Sequence, residues 1–361
     1  MSAVAMVRRL GRSVARLART RYPRFVFGLD AAPDAVTAFF LHDVTVDGFA
    51  ADLRYLRQNG YRCVTTSEFV RTRGRTQNGR ELLLTFDDAR ASFWTVVFPL
   101  LQEFQVPATL FVPSYWPGTD GFMTWEQIRT CARSGLVDVQ SHAHRHALVS
   151  VSRRLVGFAS PAMRHHVFDW PMRHEHGADV LGAAPAGTPI YESRPLLSAT
   201  HRVLDSDEAI TACRTHVARE GPEFFGHPGW SRVLHRLHQR ASRAGWRVLS
   251  GDAWWAVIAE ELLRSRETLR REVGIEPRYL AYPWELGSRQ SVTVAGEIGF
   301  DALFGVGMDA GRTARWSVAP PAFARFRGDW LRFLPGTGRA HLHRVLPGKV
   351  RDLVRSAPLA Q

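Results

Sequence analysis

Leu82-Leu83-Leu84-Thr85-Phe86 is an unbroken run that ends on two adjacent carboxylates, Asp87 and Asp88. Such a run without polar alternation reads as a strand covered on both faces, the habit of parallel sheets. Upstream, Val36 to Leu41 is a second short apolar run with His42 and Asp43 at its tip. Phe49, Leu53 and Leu56 then recur at helical spacing, Asn59-Gly60 stops that helix, and Tyr61 to Thr65 reads as another strand. Arg71 to Arg80, polar and rich in Gly and Thr, is a surface loop. Downstream come a helix through Phe93 to Phe104, a strand Ala108 to Val112, and a helix Trp125 to Ser134 ended by Gly135. Leu136 to Val139 is then a strand that runs into a histidine cluster. Strands alternating with helices at this pace specify parallel βα units, either a barrel or an open doubly wound sheet.

The alternation breaks over residues 151–250, which are rich in His, Pro, Gly and Arg and carry only a patchy helical signal at Ser231 to Arg243. It resumes with a helix Ala256 to Glu272, supported by a Glu267–Arg271 pair one turn apart and ended by Gly274. Strand Tyr279 to Tyr282, helix Ser291 to Ile298 and strand Ala302 to Val306 follow. The expected division is a basic N-terminal segment 1–30, a barrel 31–324 interrupted by the insertion 151–250, and a basic tail 325–361.

The chain carries a formal charge of +13, almost wholly from arginines, with Lys349 as its lone lysine. That field attracts phosphates, but the arginines are scattered and no nucleic-acid recognition motif accompanies them, so no nucleic-acid partner is expected. Cys63, Cys131 and Cys213 form no CxxC pair, which argues against a disulfide framework or structural zinc site and fits a reducing compartment. No apolar run reaches membrane-spanning length, and six arginines interrupt the first 21 residues where a secretory signal needs an apolar core. Val4, Val7, Leu10, Val14 and Leu17 lie at helical spacing between those arginines. A helix of that kind either lies on an anionic membrane or packs on its own chain. A cytoplasmic location, peripheral at the inner face of the membrane, is the expectation.

Two constellations can carry chemistry. Asp87 and Asp88 end a buried strand, where parallel α/β folds place active sites. Adjacent carboxylates repel unless a cation or distinct roles separate them; the bland alternative is that they cap the helix near Phe93. The second constellation is Ser141-His142-Ala143-His144-Arg145-His146. His142 and His146 are four apart, so one helical turn puts both imidazoles on one face; the bland alternative is a pair of loop histidines. Taken together, one carboxylate and two imidazoles make a three-ligand set that leaves positions open for water and substrate.

These residues carry a family resemblance. Thr85-Phe86-Asp87-Asp88-Ala89 resembles the first motif of the polysaccharide deacetylases (the NodB-homology family), and Ser141-His142 through His146-Ala147-Leu148 resembles the second. Phe40-Leu41-His42 is similar to the family's opening strand, Ala108 to Val112 to the strand after the first motif, and Arg278 to Trp284 to the third motif. The resemblance covers residues 36–150 and 250–310. It implies an irregular (β/α) barrel with fewer than eight strands. It further implies a divalent metal, most often zinc, held by Asp88, His142 and His146, with Asp87 as general base and Tyr282, Pro283 and Trp284 at the substrate.

The departures are as informative. Ala281 stands where the family's third motif usually has an arginine that orients the base, and the late motif with leucine and a general-acid histidine is not evident. His341 and His343 lie in unlike surroundings; His165, His166, His174 and His176 of the insertion are the other candidates for the acid. Phe168, Trp170, Trp230 and Trp246 suit either sugar stacking or core packing. Gly305-x-Gly307 and Pro335 to Gly338 are not at strand-to-helix turns and do not read as phosphate loops. The expected function is removal of an acyl group, N-acetyl first, from an amino sugar of a glycan or a lipid-linked glycan precursor. The rival expectation is a catalytically impaired relative that binds glycan or serves as an assembly partner.

Overall fold

The computed structural model of the chain describes residue 25 and residues 35–76, 79–163, 166–242, 245–307 and 320–340. Apart from Phe25, the basic N-terminal segment lies outside the described residues, as do His165, His341 and His343.

The first strands are β1 (Thr37–Leu41), β2 (Arg62–Cys63), β3 (Glu81–Asp87), β4 (Ala108–Val112) and β5 (Val137–Ser141). The insertion supplies β6 (Leu148–Phe158), β7 (Arg173–Glu175), β8 (Ala178–Val180), β9 (Pro189–Pro195), β10 (Arg202–Leu204) and β11 (Arg247–Leu249). The chain then adds β12 (Tyr279–Ala281), β13 (Ala302–Phe304), β14 (Ala322–Phe323) and β15 (Phe326–Arg327). The main sheet runs β14-β13-β12-β5-β4-β3-β1-β15, with β2 also on β3, and every pairing in it is parallel. Six of these strands have three or more residues; β2, β14 and β15 have two each. The sheet's two ends, β14 and β15, are separated in sequence only by Ala324 and Arg325. The sheet therefore rolls into an irregular barrel whose seam is crossed by a dipeptide rather than by ladder hydrogen bonds. Residues past 324 belong to the barrel, because Phe326 pairs with Phe39 and Arg327 with Phe40; the expected boundary of a separate tail moves accordingly.

Strand parity decides what points inward. Leu82, Leu84 and Phe86 pack in the large outer core, against Phe49, Leu53 and Phe93 of the covering helices. Leu83 packs with Ala38, Phe111, Tyr279, Ala281 and Phe304 inside the barrel. Side chains alternate along a strand, so Thr85 and Asp87 share Leu83's inward side. The expected βα helices are present: Val46–Gln58 starts on the Thr45 cap, Trp125–Arg133 on a Thr124/Gln127 capping box, and Gly251–Val273 and Arg289–Ile298 end on left-handed Gly274 and Gly299.

The insertion has a different grammar. β6 and β9 form an antiparallel ribbon, β7–β8 and β10–β11 are short antiparallel pairs, and helices Asp207–Glu220 and Trp230–Ala241 cover them. Phe158, Cys213, Val217, Phe224 and Leu234 form its own small core, with Trp230 packed beside it. All three cysteines are free and buried. Among the described residues, no helix is long and apolar enough to cross a membrane.

Candidate metal centre and catalytic base

Parallel strands put all their C-terminal ends on one face, and the residues singled out by sequence meet there. One potential ligand atom from each of Asp88, His142 and His146 lies within 4.8 Å of the others. Asp88 Oδ1 is 3.4 Å from His146 Nε2 and 3.6 Å from His142 Nε2. All three are buried, with Asp88 2% and His142 1% exposed. The chain turns sharply here: Asp88 and Ala89 have φ of 75° and 51°, the left-handed region that L-residues seldom adopt. Neither aspartate caps the following helix in the described hydrogen bonds, and the helix has no side-chain cap at Ser92.

The two histidines do not share a helical turn. Ala143 and His146 have φ of 64° and 48°, so residues 142–147 form a loop, and the helix inferred from their spacing is corrected. Ser265 of the Gly251–Val273 helix donates to the Ala143 carbonyl at 2.9 Å and lies 2.8 Å from the Ser141 hydroxyl, replacing helical hydrogen bonds with tertiary ones.

Tautomer and charge follow from the partners. His142 Nδ1 lies 2.9 Å from the Ala281 carbonyl, which can only accept, so Nδ1 donates and Nε2 keeps its lone pair for the site. Burial pushes the His142 imidazole below its ordinary pKa, partly opposed by Asp87 and Asp88. Burial, and then the neighbouring His142, pushes His146 well below. Both are thus neutral donors of lone pairs at neutral pH. Asp88 Oδ1 and His146 Nδ1 are buried without a hydrogen-bond partner. A buried, unpartnered carboxylate oxygen facing bare imidazole nitrogens is costly. A divalent cation removes that cost, so the donor set fits a metal.

Asp87 is held differently. Arg325, between β14 and β15, donates to both of its oxygens, NH1 to Oδ1 at 2.7 Å and NH2 to Oδ2 at 2.8 Å. The guanidinium also donates to Thr85 Oγ1 at 3.1 Å and to Glu285, and is sandwiched between the rings of Phe40 and Phe111. Burial alone raises the Asp87 carboxyl, but Arg325, then His142, bring it below the usual carboxylate range. Gly305, at φ 69°, makes room for the Glu285 carboxylate, which a Cβ there would strike. That is this glycine's role, in place of a phosphate loop.

Arg325 is the residue that sequence reasoning missed. It makes to Asp87 the contact that the resemblance implied for an arginine at position 281, from an element 238 residues beyond Asp87, and no local spacing announces it. The third motif is also redistributed. Tyr282 is 0% exposed, in the core beside Val292 and Val306, and Pro283 is buried, so neither ring is open to a substrate. Trp284, at φ 55°, does reach the site: its ring lies 4.2 Å from that of His146. Phe168 of the insertion stacks on the other side of His146 at 3.9 Å, backed by Trp116 and Phe122. Of the insertion histidines, His166 touches Arg90, which in turn donates to Asp88 Oδ2 at 3.3 Å. His174 pairs with Asp179 in the β7–β8 hairpin, and His176 sits at its turn. Trp170 is buried and Trp246 packs on Tyr191. His42, at the end of β1, is an exposed imidazole with Nε2 3.9 Å from Asp88 Oδ2.

A rolled parallel sheet thus carries, at its C-terminal face, a buried carboxylate-imidazole set beside a second carboxylate clamped by an arginine. Residues 74–160 match the family described as polysaccharide deacetylase, about a quarter of the chain. The chain is 36% identical over 105 residues to the poly-beta-1,6-N-acetyl-D-glucosamine N-deacetylase of Escherichia coli K12, a match covering 24% of this chain and 16% of that protein. It is 26% identical over 114 residues to the Staphylococcus epidermidis enzyme of the same name, covering 30% and 39%. The matched segment is therefore a minor part of each relative's length. In fold, the chain is similar to a solved de-N-acetylase from Aggregatibacter actinomycetemcomitans, with a TM-score of 0.50, 17% identity, and coverage of 81% of this chain and 94% of that one.

Proposed function

We propose that this chain is a metal-dependent deacetylase that removes the N-acetyl group from an amino sugar of a glycan or lipid-linked glycan precursor. The observation that carries the reading is the pairing of two unlike carboxylates. Asp88 has an unpartnered oxygen among neutral imidazoles, while its neighbour Asp87 is ionised and clamped by Arg325. Two acids with environments pushed apart have separate roles.

Asp88, His142 and His146 would hold the metal, and their imidazole and carboxylate donors suit zinc. When bound, such an ion polarises an amide carbonyl and lowers the pKa of a water. The chain's own residues supply the rest. Asp87, kept anionic and fixed in two dimensions by a bidentate arginine, is the base that takes a proton from the attacking water. Trp284, Phe168 and Trp116 enclose the ligand imidazole in an apolar wall that excludes bulk water and strengthens every charge interaction within it. The names of the curated relatives support an N-acetylated amino sugar as substrate.

The rival reading, an impaired glycan-binding relative, drew on Ala281 in the arginine's place. Arg325 makes that contact from the barrel seam, which favours catalysis. The test is acetate release by purified chain with zinc from acetylated amino-sugar oligomers and from lipid-linked acceptors. Metal-loaded protein that releases acetate from neither class sinks the proposal.

A further inference from the structure

The ligand histidines lie in a loop with two left-handed non-glycine residues, Ala143 and His146. Such a loop keeps one shape only if its surroundings over-determine it. Much of that work falls to a carboxylate that touches neither Asp88, His142 nor His146. Glu261, on the Gly251–Val273 helix, is 1% exposed. Its Oε1 accepts the backbone N–H of His144 at 3.0 Å and of Arg145 at 2.5 Å, and its Oε2 accepts Arg145 Nε at 2.6 Å. One side chain thus fixes two consecutive peptides between His142 and His146, and the arginine between them.

Arg145 carries the connection onward. Its NH1 donates to Asp179 Oδ2 at 3.2 Å, in β8 of the insertion. Asp179 Oδ1 accepts from Arg202 NH1 at 2.7 Å and lies 3.1 Å from His174 Nδ1, while Arg202 NH2 donates to the Met172 carbonyl at 3.0 Å. Charges alternate along Glu261, Arg145, Asp179 and Arg202, and Arg202 is 3% exposed. A barrel helix, the ligand loop and the insertion are therefore tied by one largely buried chain of charge-assisted hydrogen bonds, which are strong and geometrically specific. The same insertion lays Phe168 on the His146 ring.

We propose that Glu261 is a positioning residue that presets the His142–His146 loop for its metal, and that Asp179, through Arg145, extends this control into the insertion. The inference rests on the metal reading of the site. Outer contacts of this kind set metal affinity by about 10–100-fold. The test uses the full chain and two probes: zinc affinity by competition with a chromogenic chelator, and the ligand-field spectrum of the cobalt-loaded protein. Glu261→Gln keeps the volume but puts an N–H₂ where an acceptor was. It is expected to lower zinc affinity about 10–100-fold and to alter the cobalt bands at saturation, with unchanged far-ultraviolet circular dichroism. Asp179→Asn, at a part-exposed position that tolerates the change, is expected to lower affinity about tenfold. Arg145→Lys, which keeps charge but loses the fork, falls between wild type and Glu261→Gln. Wild type that binds neither ion overturns the metal reading and the inference together. Wild type that binds, with a folded Glu261→Gln of equal affinity and spectrum, overturns the positioning role alone. If Glu261→Gln does not fold, Asp179→Asn decides: unchanged affinity and spectrum there overturn the proposal.

Discussion

Replacing Arg325 with leucine removes the bidentate partner of Asp87 and keeps most of the apolar contact with Phe40 and Phe111. Asp87 is 4% exposed, so its carboxylate has no water to fall back on, and Glu285 loses the same partner. Breaking a buried pair from one side costs about 3–5 kcal/mol. The sign with pH is fixed by the direction of the shift. In the wild type the Asp87 pKa is lowered on folding, so it contributes stability above its unfolded pKa and loses it as pH falls through the folded value. Without Arg325 the raising effect of burial prevails, so the ionised group costs stability at neutral pH and the cost fades on acidification. Urea unfolding at mildly alkaline and mildly acidic pH should therefore show a gap between variant and wild type that narrows toward acid. The acetate-release rate should fall by about 10²–10⁴-fold at neutral pH, because the base is protonated, with the rising limb of its pH profile moved to higher pH. Arg325→Lys, with charge but no fork, should lie between. A leucine variant with wild-type stability, rate and pH profile would refute the assignment of Arg325 as the base's clamp.

Further outcomes follow from other features. Asp87→Asn should lower turnover about 10²–10⁴-fold while zinc content stays at the wild-type level, since Asp87 is outside the ligand set; loss of zinc in that variant contradicts the division of roles. Removing zinc with a chelator should lower the thermal midpoint reversibly, by a shift equivalent to about 4 kcal/mol when zinc stands at a thousand times its dissociation constant; differential scanning fluorimetry with zinc add-back reads it. Trp284→Ala should raise KM more than it lowers kcat, because the ring borders His146 and is part-exposed at the site. Gln105→Gly should raise stability by about 0.5–1 kcal/mol in urea unfolding, since the exposed Gln105 ends the Phe98–Phe104 helix at φ 54°.

How much of this could be read in the sequence depended on distance along the chain. The β3 run and its two aspartates were legible because burial on both faces erases alternation, and because strand parity alone sends Asp87 inward with Leu83. His142 and His146 were legible as a pair, but their loop was not. Spacing of four suggests a helical turn, and the left-handed residues depend on Ser265 and Glu261, more than a hundred positions away. The family resemblance implied Tyr282 at the substrate; its backbone N–H instead continues the ladder to the Phe304 carbonyl and its ring enters the core. The insertion hid its antiparallel pairs because β7, β8, β10 and β11 have three residues each, too few to show a period. Arg325 was invisible for the plainest reason: only closure of the sheet brings it to Asp87.

That closure also couples the order of assembly to competence. On the proposed function, the segment from β1 through β13 already carries the whole metal set, Asp88, His142 and His146. Asp87 obtains its guanidinium only when Ala322–Phe323 and Phe326–Arg327 dock on opposite edges of the sheet. On that same proposal, hydrolysis would be the last property the fold acquires, because the base is completed only by its final two strands.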